Sequence, residues 1–375
     1  MTVIARVDVF TINYPVAGRF KFFESPAGRP TGRPSVVVKI TADDGTVGWG
    51  QSVPSPRWSY ETLESVEATI RVYLAPELIG QDPLDGDALW RRMNVAIAAS
   101  FSTGAPIAKA GVELALFDLA GKLLQQSAAE RWGRRSLERI TLSWTLNPRG
   151  IAELEESIAT AHARGYRHFN LKVAPDAALD LELCRRAKQL AGDGHLWVDA
   201  NGGYDEAAAL EVAPKFADLG IAAFEQPLPA NRLSGYRRLR TLGALPILMD
   251  ESVVSHIELE EFIQLGLLDG VAVKVARSGG LAESYRVVQT IERHGLLFYA
   301  SGLTDPDLSL AASLLLFGAC GLAVPAALNG PQYLATSILH KPLTVAGDTI
   351  EVPQGVGLGV EVDEAALERH RITVP

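Results

Sequence analysis

The sequence predicts an α/β fold built on a TIM-type (β/α) barrel, with a separate α+β module in front of it. Three observations carry that prediction. From Ile140 onward, apolar strand-like runs alternate with amphipathic helical stretches, and the runs recur roughly every 25–30 residues, the length of one βα unit. They begin near Ile140, His168, His195, Ala222, Pro246, Gly270, Leu296 and Pro325, enough strands to close a ring. No Gly-rich nucleotide fingerprint follows the first of them, which disfavours an open doubly wound sheet.

The leading module, residues 1–130, opens on Met1–Phe10, which alternates like a strand and lacks the apolar stretch of a signal peptide. Ser35–Ile40 and Thr46–Gly50 flank Asp43-Asp44-Gly45, a hairpin turn in which Gly accepts positive φ. Helical periodicity then covers 62–78, 85–97 and 107–124. In the barrel, residues 131–345, helices are expected over 151–164, 181–190, 206–219 and 281–294. The stretch Leu308–Val324 is apolar but broken by Gly, Ser and Cys and short for a membrane span, so it reads as a buried helix. The tail, 346–375, leaves the βα rhythm; with Gly355, Gly357 and Gly359 it reads as a segment returning to the first module.

Composition narrows the partners. Of 375 residues, 47% are hydrophobic and 21% charged, which provides a sizeable core. A net charge of −9 leaves no basic surplus for a nucleic-acid backbone, and no membrane role follows. Cys184 and Cys320 form no CxxC or CxxH pair, so thiolate metal chemistry is unsupported and a reducing, cytoplasmic location is expected.

Three runs end in an acid: Leu196-Trp197-Val198-Asp199, Ala223-Phe224-Glu225 and Ile247-Leu248-Met249-Asp250. An unpaired carboxylate at a buried strand tip costs several kcal/mol, so three on consecutive strands point to a divalent cation among them. Any one alone could cap the following helix. Lys172 and Lys274 sit on the second and sixth strands, diametrically opposite in a ring of eight, with the acids on the arc between. In this fold strand C-termini form the functional face. A metal holding a substrate carboxylate, flanked by two amines, suits removal of the proton next to that carboxylate. The base must be neutral, so a lowered lysine pKa is expected. The seven histidines occupy none of the strands' functional ends; His168 and His195 open strands at the opposite end. Trp144 ends the first strand, where core packing is the expected role.

These segments resemble the enolase superfamily, specifically its mandelate racemase/muconate lactonizing enzyme family and the cycloisomerase and dipeptide epimerase-like branch. The resemblance also rests on Glu113–Lys122, on Lys274 followed by Ser278-Gly279-Gly280-Leu281, and on Gly357–Val362. It implies an enolase-like modified barrel whose leading module is a capping domain. Asp199, Glu225 and Asp250 would bind Mg2+, with Mn2+ as a substitute, and Asn201 would line the site. Lys172 matches the second lysine of the family's KxK pair and Lys274 the opposing lysine. Glu251 would orient Lys274 or a metal ligand, or form a structural ion pair. Asp305 falls where the cycloisomerases tend to carry Glu. The loop from Val16 to Arg33, with Arg19, Lys21, Phe22, Phe23 and Arg29, would cover the substrate, with Arg57 and Trp58 on a companion loop. A mobile surface loop is the alternative.

Four positions depart from the family pattern. Asn170 replaces the first lysine of KxK. Ala327-Leu328-Asn329 replaces an Asp-x-Asp that grips an ammonium group, although Asp305 and Asn329 could equally satisfy local backbone groups. Tyr299–Asp305 lacks the racemase histidine. Gln51 replaces the usual Glu after Gly-Trp-Gly. The expected function is thus a Mg2+-dependent isomerase of a small carboxylate, acting through an enediolate as racemase, epimerase or cycloisomerase, and assembled as a homo-oligomer. The rivals are a syn-dehydratase on the same scaffold, a metal-free Schiff-base aldolase using either lysine, and a barrel that only binds a metabolite.

Overall fold

The computed structural model describes residues 2–23, 32–99 and 103–373. Strands β1 (Ile4–Tyr14), β2 (Arg33–Ala42) and β3 (Val47–Ser52) form an antiparallel sheet in that order. The β2–β3 turn is closed by Gly45 at φ +87° and by Asp44 Oδ1, which accepts from the Thr46 N–H at 2.8 Å. Helix α1 (Leu63–Ala68) starts on a capping box of Thr62 and Ser65. The single helix expected over 62–78 is instead interrupted: a π-helical stretch at Thr69–Leu74 leads into α2 (Ala75–Leu78). Pro76 has no N–H, and the widened turn ahead of it relieves the clash of its ring with the carbonyl four residues back. Helices α3 (Gly86–Ala96), α4 (Pro106–Leu124) and α5 (Ala128–Trp132) complete the module. Helix α4 lies directly on β3, because a Cβ at Gly48 or Gly50 would stand 2.2 or 2.1 Å from its backbone carbonyls.

After β4 (Arg139–Thr141) come the parallel barrel strands β5 (Trp144–Leu146), β6 (Phe169–Lys172), β7 (Leu196–Asp199), β8 (Phe224–Glu225), β9 (Ile247–Met249), β10 (Gly270–Val273) and β11 (Leu297–Ala300). Between and after them run α6 (Ile151–Ala163), α7 (Ala177–Ala191), α8 (Glu206–Asp218), α9 (Leu233–Leu242), α10 (His256–Gln264), α11 (Leu281–His294) and α12 (Asp307–Ala319). Asp176, Asp205 and Ser255 cap three of these helices with their side chains.

Two further expectations need correction. The predicted eighth strand is reduced to bridges, Ala326 to Leu142 and Ala327 to Ser301, because Pro325 cannot donate to a ladder. These bridges still close the ring: the Ala326 N–H donates to Thr141 O and the Ala327 N–H to Ala300 O, each at 2.8 Å. The first predicted strand divides, so that β4 leaves the barrel and Trp144 begins β5 rather than ending a strand. Its indole is buried and donates to Ser157 Oγ at 3.1 Å, a packing role.

Trp197, Ala223, Leu248, Ala272, Tyr299 and Ala327 fill the barrel interior. The larger core lies between the sheet and its helices and includes buried residues of α12 such as Leu314 and Phe317. A short helix α13 (Gly330–Tyr333) precedes strands β12 (Val345–Ala346) and β13 (Thr349–Glu351), which pair antiparallel, with β13 in turn against β4. Beyond α14 (Glu364–Arg369), the Ile372 N–H donates to Thr11 O at 2.9 Å, and the Asn13 N–H to His370 O at 3.0 Å. Among the described residues, no helix is long and apolar enough to cross a membrane. Cys184 and Cys320 are buried and unbridged.

Candidate active site

Period-two alternation builds the site. Two residues beyond the interior layer, each strand returns a side chain to the same face. Trp197 is followed by Asp199, Ala223 by Glu225, Leu248 by Asp250 and Ala272 by Lys274. In the parallel register Lys172 lies beside Asp199, and Asp199 beside Glu225. One carboxylate oxygen from each of Asp199, Glu225 and Asp250 falls within 4.8 Å of the others, and all three residues are buried. Lys172 pairs with Asp199, and Lys274 with Asp250.

The electrostatics are those of a centre built for a cation. Burial, then the Asp199 and Asp250 charges, push Glu225 well above the usual carboxylate range. One Glu225 oxygen accepts from Trp197 Nε1 at 2.8 Å, while the other is buried without a partner among the described residues. Three all-oxygen donors with an orphaned lone pair fit a divalent metal. Burial works to lower the Lys172 ammonium, but Asp199, Glu225 and Asp250 outweigh it and hold it above its ordinary value.

Around this centre, Asn201 takes a left-handed φ of +46°, with its N–H donating to Asp199 Oδ1 at 2.8 Å. Its Nδ2 donates to Asp199 Oδ2 at 3.1 Å and to Glu251 Oε1 at 3.0 Å. Glu251 thus bonds to Asn201, and no bond joins it to Lys274 among the described residues. Burial and the neighbouring aspartates raise Glu251 to about 7.

Sequence reasoning missed several contributors. Buried Arg277 pairs with Asp250 and donates to Ala272 O at 3.0 Å. Gln226, at φ +38°, accepts from the Asp250 N–H at 2.9 Å and donates to Ser252 Oγ, Tyr236 Oη and Leu228 O. The one sequence signal for these was position: Gln226 follows a metal-strand acid, and Arg277 leads directly into Ser278-Gly279-Gly280.

A narrow cavity opens over Lys172 and Lys274. Phe20, Phe22, Phe23, Arg33 and Trp58 roof it from the first module, while Thr145, Asn170, Asn201 and Asn329 line it from the barrel. Lys274 Nζ stands 4.6 Å from the Trp58 ring centroid. Phe20 and Phe23 rest on Tyr333, with centroids 5.2 and 5.4 Å away. Other expected site residues lie elsewhere. Arg19 turns outward, donating to Asn147 O at 3.1 Å. Arg57 lines a shallow cleft at the mouth with Lys21 and Phe22. Asp305 sits behind the cavity wall, accepting from the Leu303 N–H and Ser313 Oγ. Arg29 is outside the described residues. His168 and His195 stay at the far end of the barrel, where His195 Nε2 meets Tyr299 Oη at 3.0 Å.

Comparison with known proteins agrees with this geometry. The family model "Enolase C-terminal domain-like" matches residues 153–366, and the mandelate racemase/muconate lactonizing enzyme N-terminal domain matches 27–133. A chloromuconate cycloisomerase of Cupriavidus necator is 31% identical over 341 residues, covering 89% of this chain and 90% of that one. An N-succinyl-L-Arg/Lys racemase of Bacillus cereus is 26% identical over 369 residues, 97% of each chain. Among solved structures, a muconate lactonizing enzyme from Pseudomonas fluorescens complexed with muconolactone superposes with a TM-score of 0.90. It is 27% identical and covers 99% of this chain and 100% of its own. Barrel, acid triad and capping module together define an enzyme of the enolase-like class. The chain belongs to the mandelate racemase/muconate lactonizing enzyme family of the enolase superfamily.

Proposed function

We propose that the chain is a Mg2+-dependent isomerase of a small carboxylic acid, which removes the proton next to the carboxylate and returns it, as a racemase, epimerase or cycloisomerase. The observation that carries this reading is the pair Lys172 and Lys274 on opposed strands, with the three acids on the arc between. An all-oxygen donor set suits hard divalent ions such as Mg2+, with Mn2+ as a substitute. When bound, the ion neutralises the carboxylates that hold Lys172 protonated and offsets the second negative charge of the enediolate.

The remaining steps belong to the side chains. A neutral lysine on one side accepts the α-proton, and the ammonium opposite donates one back. Inversion uses both lysines; a reaction confined to one face uses one. Phe20, Phe22, Phe23 and Trp58 exclude water, which strengthens every charge interaction beneath them. The names of the relatives support cycloisomerisation and racemisation alike.

Incubation with Mg2+ and a panel of N-acyl amino acids, unsaturated acids, 2,3-dihydroxy acids and keto acids in D2O tests the reading. Exchange or isomerisation without loss of water is expected, and EDTA should abolish it. A 2-keto product would make the chain a dehydratase, and a borohydride-trapped adduct surviving EDTA would make it an aldolase.

A further inference from the structure

The ring carries its charges on one side. On the rest of the ring, the inward positions are Thr145 on β5, Asn170 on β6 one inward step before Lys172, and Asn329 after the closing bridges, and all three line the cavity. They are 1%, 1% and 6% exposed. Asn170 Nδ2 and Oδ1, Asn329 Oδ1 and Thr145 Oγ1 are all buried with no hydrogen-bond partner among the described residues. Thr145 and Asn170 are register partners on adjacent strands. Gln332 holds the backbone of Thr145 at both its N–H, 3.0 Å, and its carbonyl, 2.9 Å, which ties α13 to β5. Orphaned donors and acceptors on a fixed frame are groups waiting for a partner.

That partner is uncharged. The cationic residues lining the cavity, among those described, are Arg33, Lys172 and Lys274. Arg33 donates to Leu303 O, Pro54 O and Val53 O, and the lysines pair with Asp199 and Asp250 on the metal side. A carboxylate on the Thr145–Asn170–Asn329 arc offers no donor to the buried Asn170 Oδ1 and Asn329 Oδ1, whereas an amide or a hydroxyl does. We infer that this arc binds an uncharged donor–acceptor group of the substrate, an amide or a hydroxyl, and selects against substrates with a second carboxylate. The inference rests on the proposed isomerase reading for the placement of the first carboxylate at the metal centre.

Titration calorimetry of the Mg2+-loaded protein with hexanedioate and with its monoamide tests it. The monoamide should bind at least tenfold more tightly. Asn170→Lys should reverse the preference, and Thr145→Val, nearly isosteric, should weaken the monoamide about tenfold while leaving hexanedioate within twofold. Equal or tighter binding of hexanedioate by the wild type, binding of neither ligand, or indifference of the monoamide to Thr145→Val would overturn the inference. An amide preference without any proton exchange in D2O would sink the isomerase reading and keep the subsite. Exchange together with a dicarboxylate preference would do the reverse.

Discussion

The floor and the roof of the cavity are built by different rules. Floor residues come from strand ends, where alternation fixes which side chains face inward, and their chemistry is charge: three acids and two lysines. Roof residues come from turns of the capping module, held by aromatic packing on Tyr333 and by the contact of Trp58 with Lys274. The floor is suited to setting the reaction and the roof to setting what enters. Substitutions should separate along that line, floor changes lowering kcat and roof changes raising KM.

The largest separation is expected for Lys172→Ala and Lys274→Ala. Loss of a proton-transferring group should lower exchange in D2O by about 10²–10⁴-fold, followed by proton NMR, with metal affinity measured by calorimetry retained. Full activity in both variants would remove the floor's claim to the chemistry.

Next comes the seam joining floor to roof. Glu113 on α4 accepts from the Leu281 and Ala282 N–H groups at 2.7 and 3.0 Å, capping α11 behind β10. Burial raises its carboxyl from 4.5 to about 7. The folded state therefore keeps a proton that the unfolded chain has released, and the stability linked to this group falls as pH rises from about 4.5 to 7. The span is up to about 3 kcal/mol. Glu113→Gln should flatten this slope in urea denaturation at pH 5 and pH 8; unchanged slopes would count against it.

Smaller effects belong to the roof. Tyr333→Ala removes the platform under Phe20 and Phe23 and should raise KM through a loss of about 2 kcal/mol, with kcat nearly constant. Trp58→Ala should cost about 1 kcal/mol, because Trp58 is where the two regions touch. A fall in kcat there matching that of Lys274→Ala would erase the distinction between floor and roof.

Much of the floor was legible because strand periodicity is local: an acid two residues beyond an apolar inward position reads directly from Trp197-Val198-Asp199 or Leu248-Met249-Asp250. The same holds for Ser278-Gly279-Gly280, where Gly280 sits at φ +112° and a Cβ would stand 2.1 Å from Glu113 Oε2. What could not be read was set by distant packing. Arg277 meets Asp250, 27 positions away, and Asp305 turns behind the wall toward Ser313. The eighth strand dwindles to bridges for want of an N–H at Pro325. Glu251 reached for Asn201 because the left-handed turn at 201 brings the amide to it.

Asp118 draws together three stretches far apart in the chain. Its carboxylate accepts from the Trp49 N–H at 2.9 Å and the Leu358 N–H at 2.8 Å, and holds Lys122 Nζ at 2.6 Å. A ribosome releasing this polypeptide from its amino end would have the barrel segments in hand well before residues 357–372 emerge to complete the first sheet's surroundings. The surroundings of the first sheet are thus complete only when the last residues have packed back on it, and clipping the final twenty residues should loosen the first sheet rather than the nearer barrel.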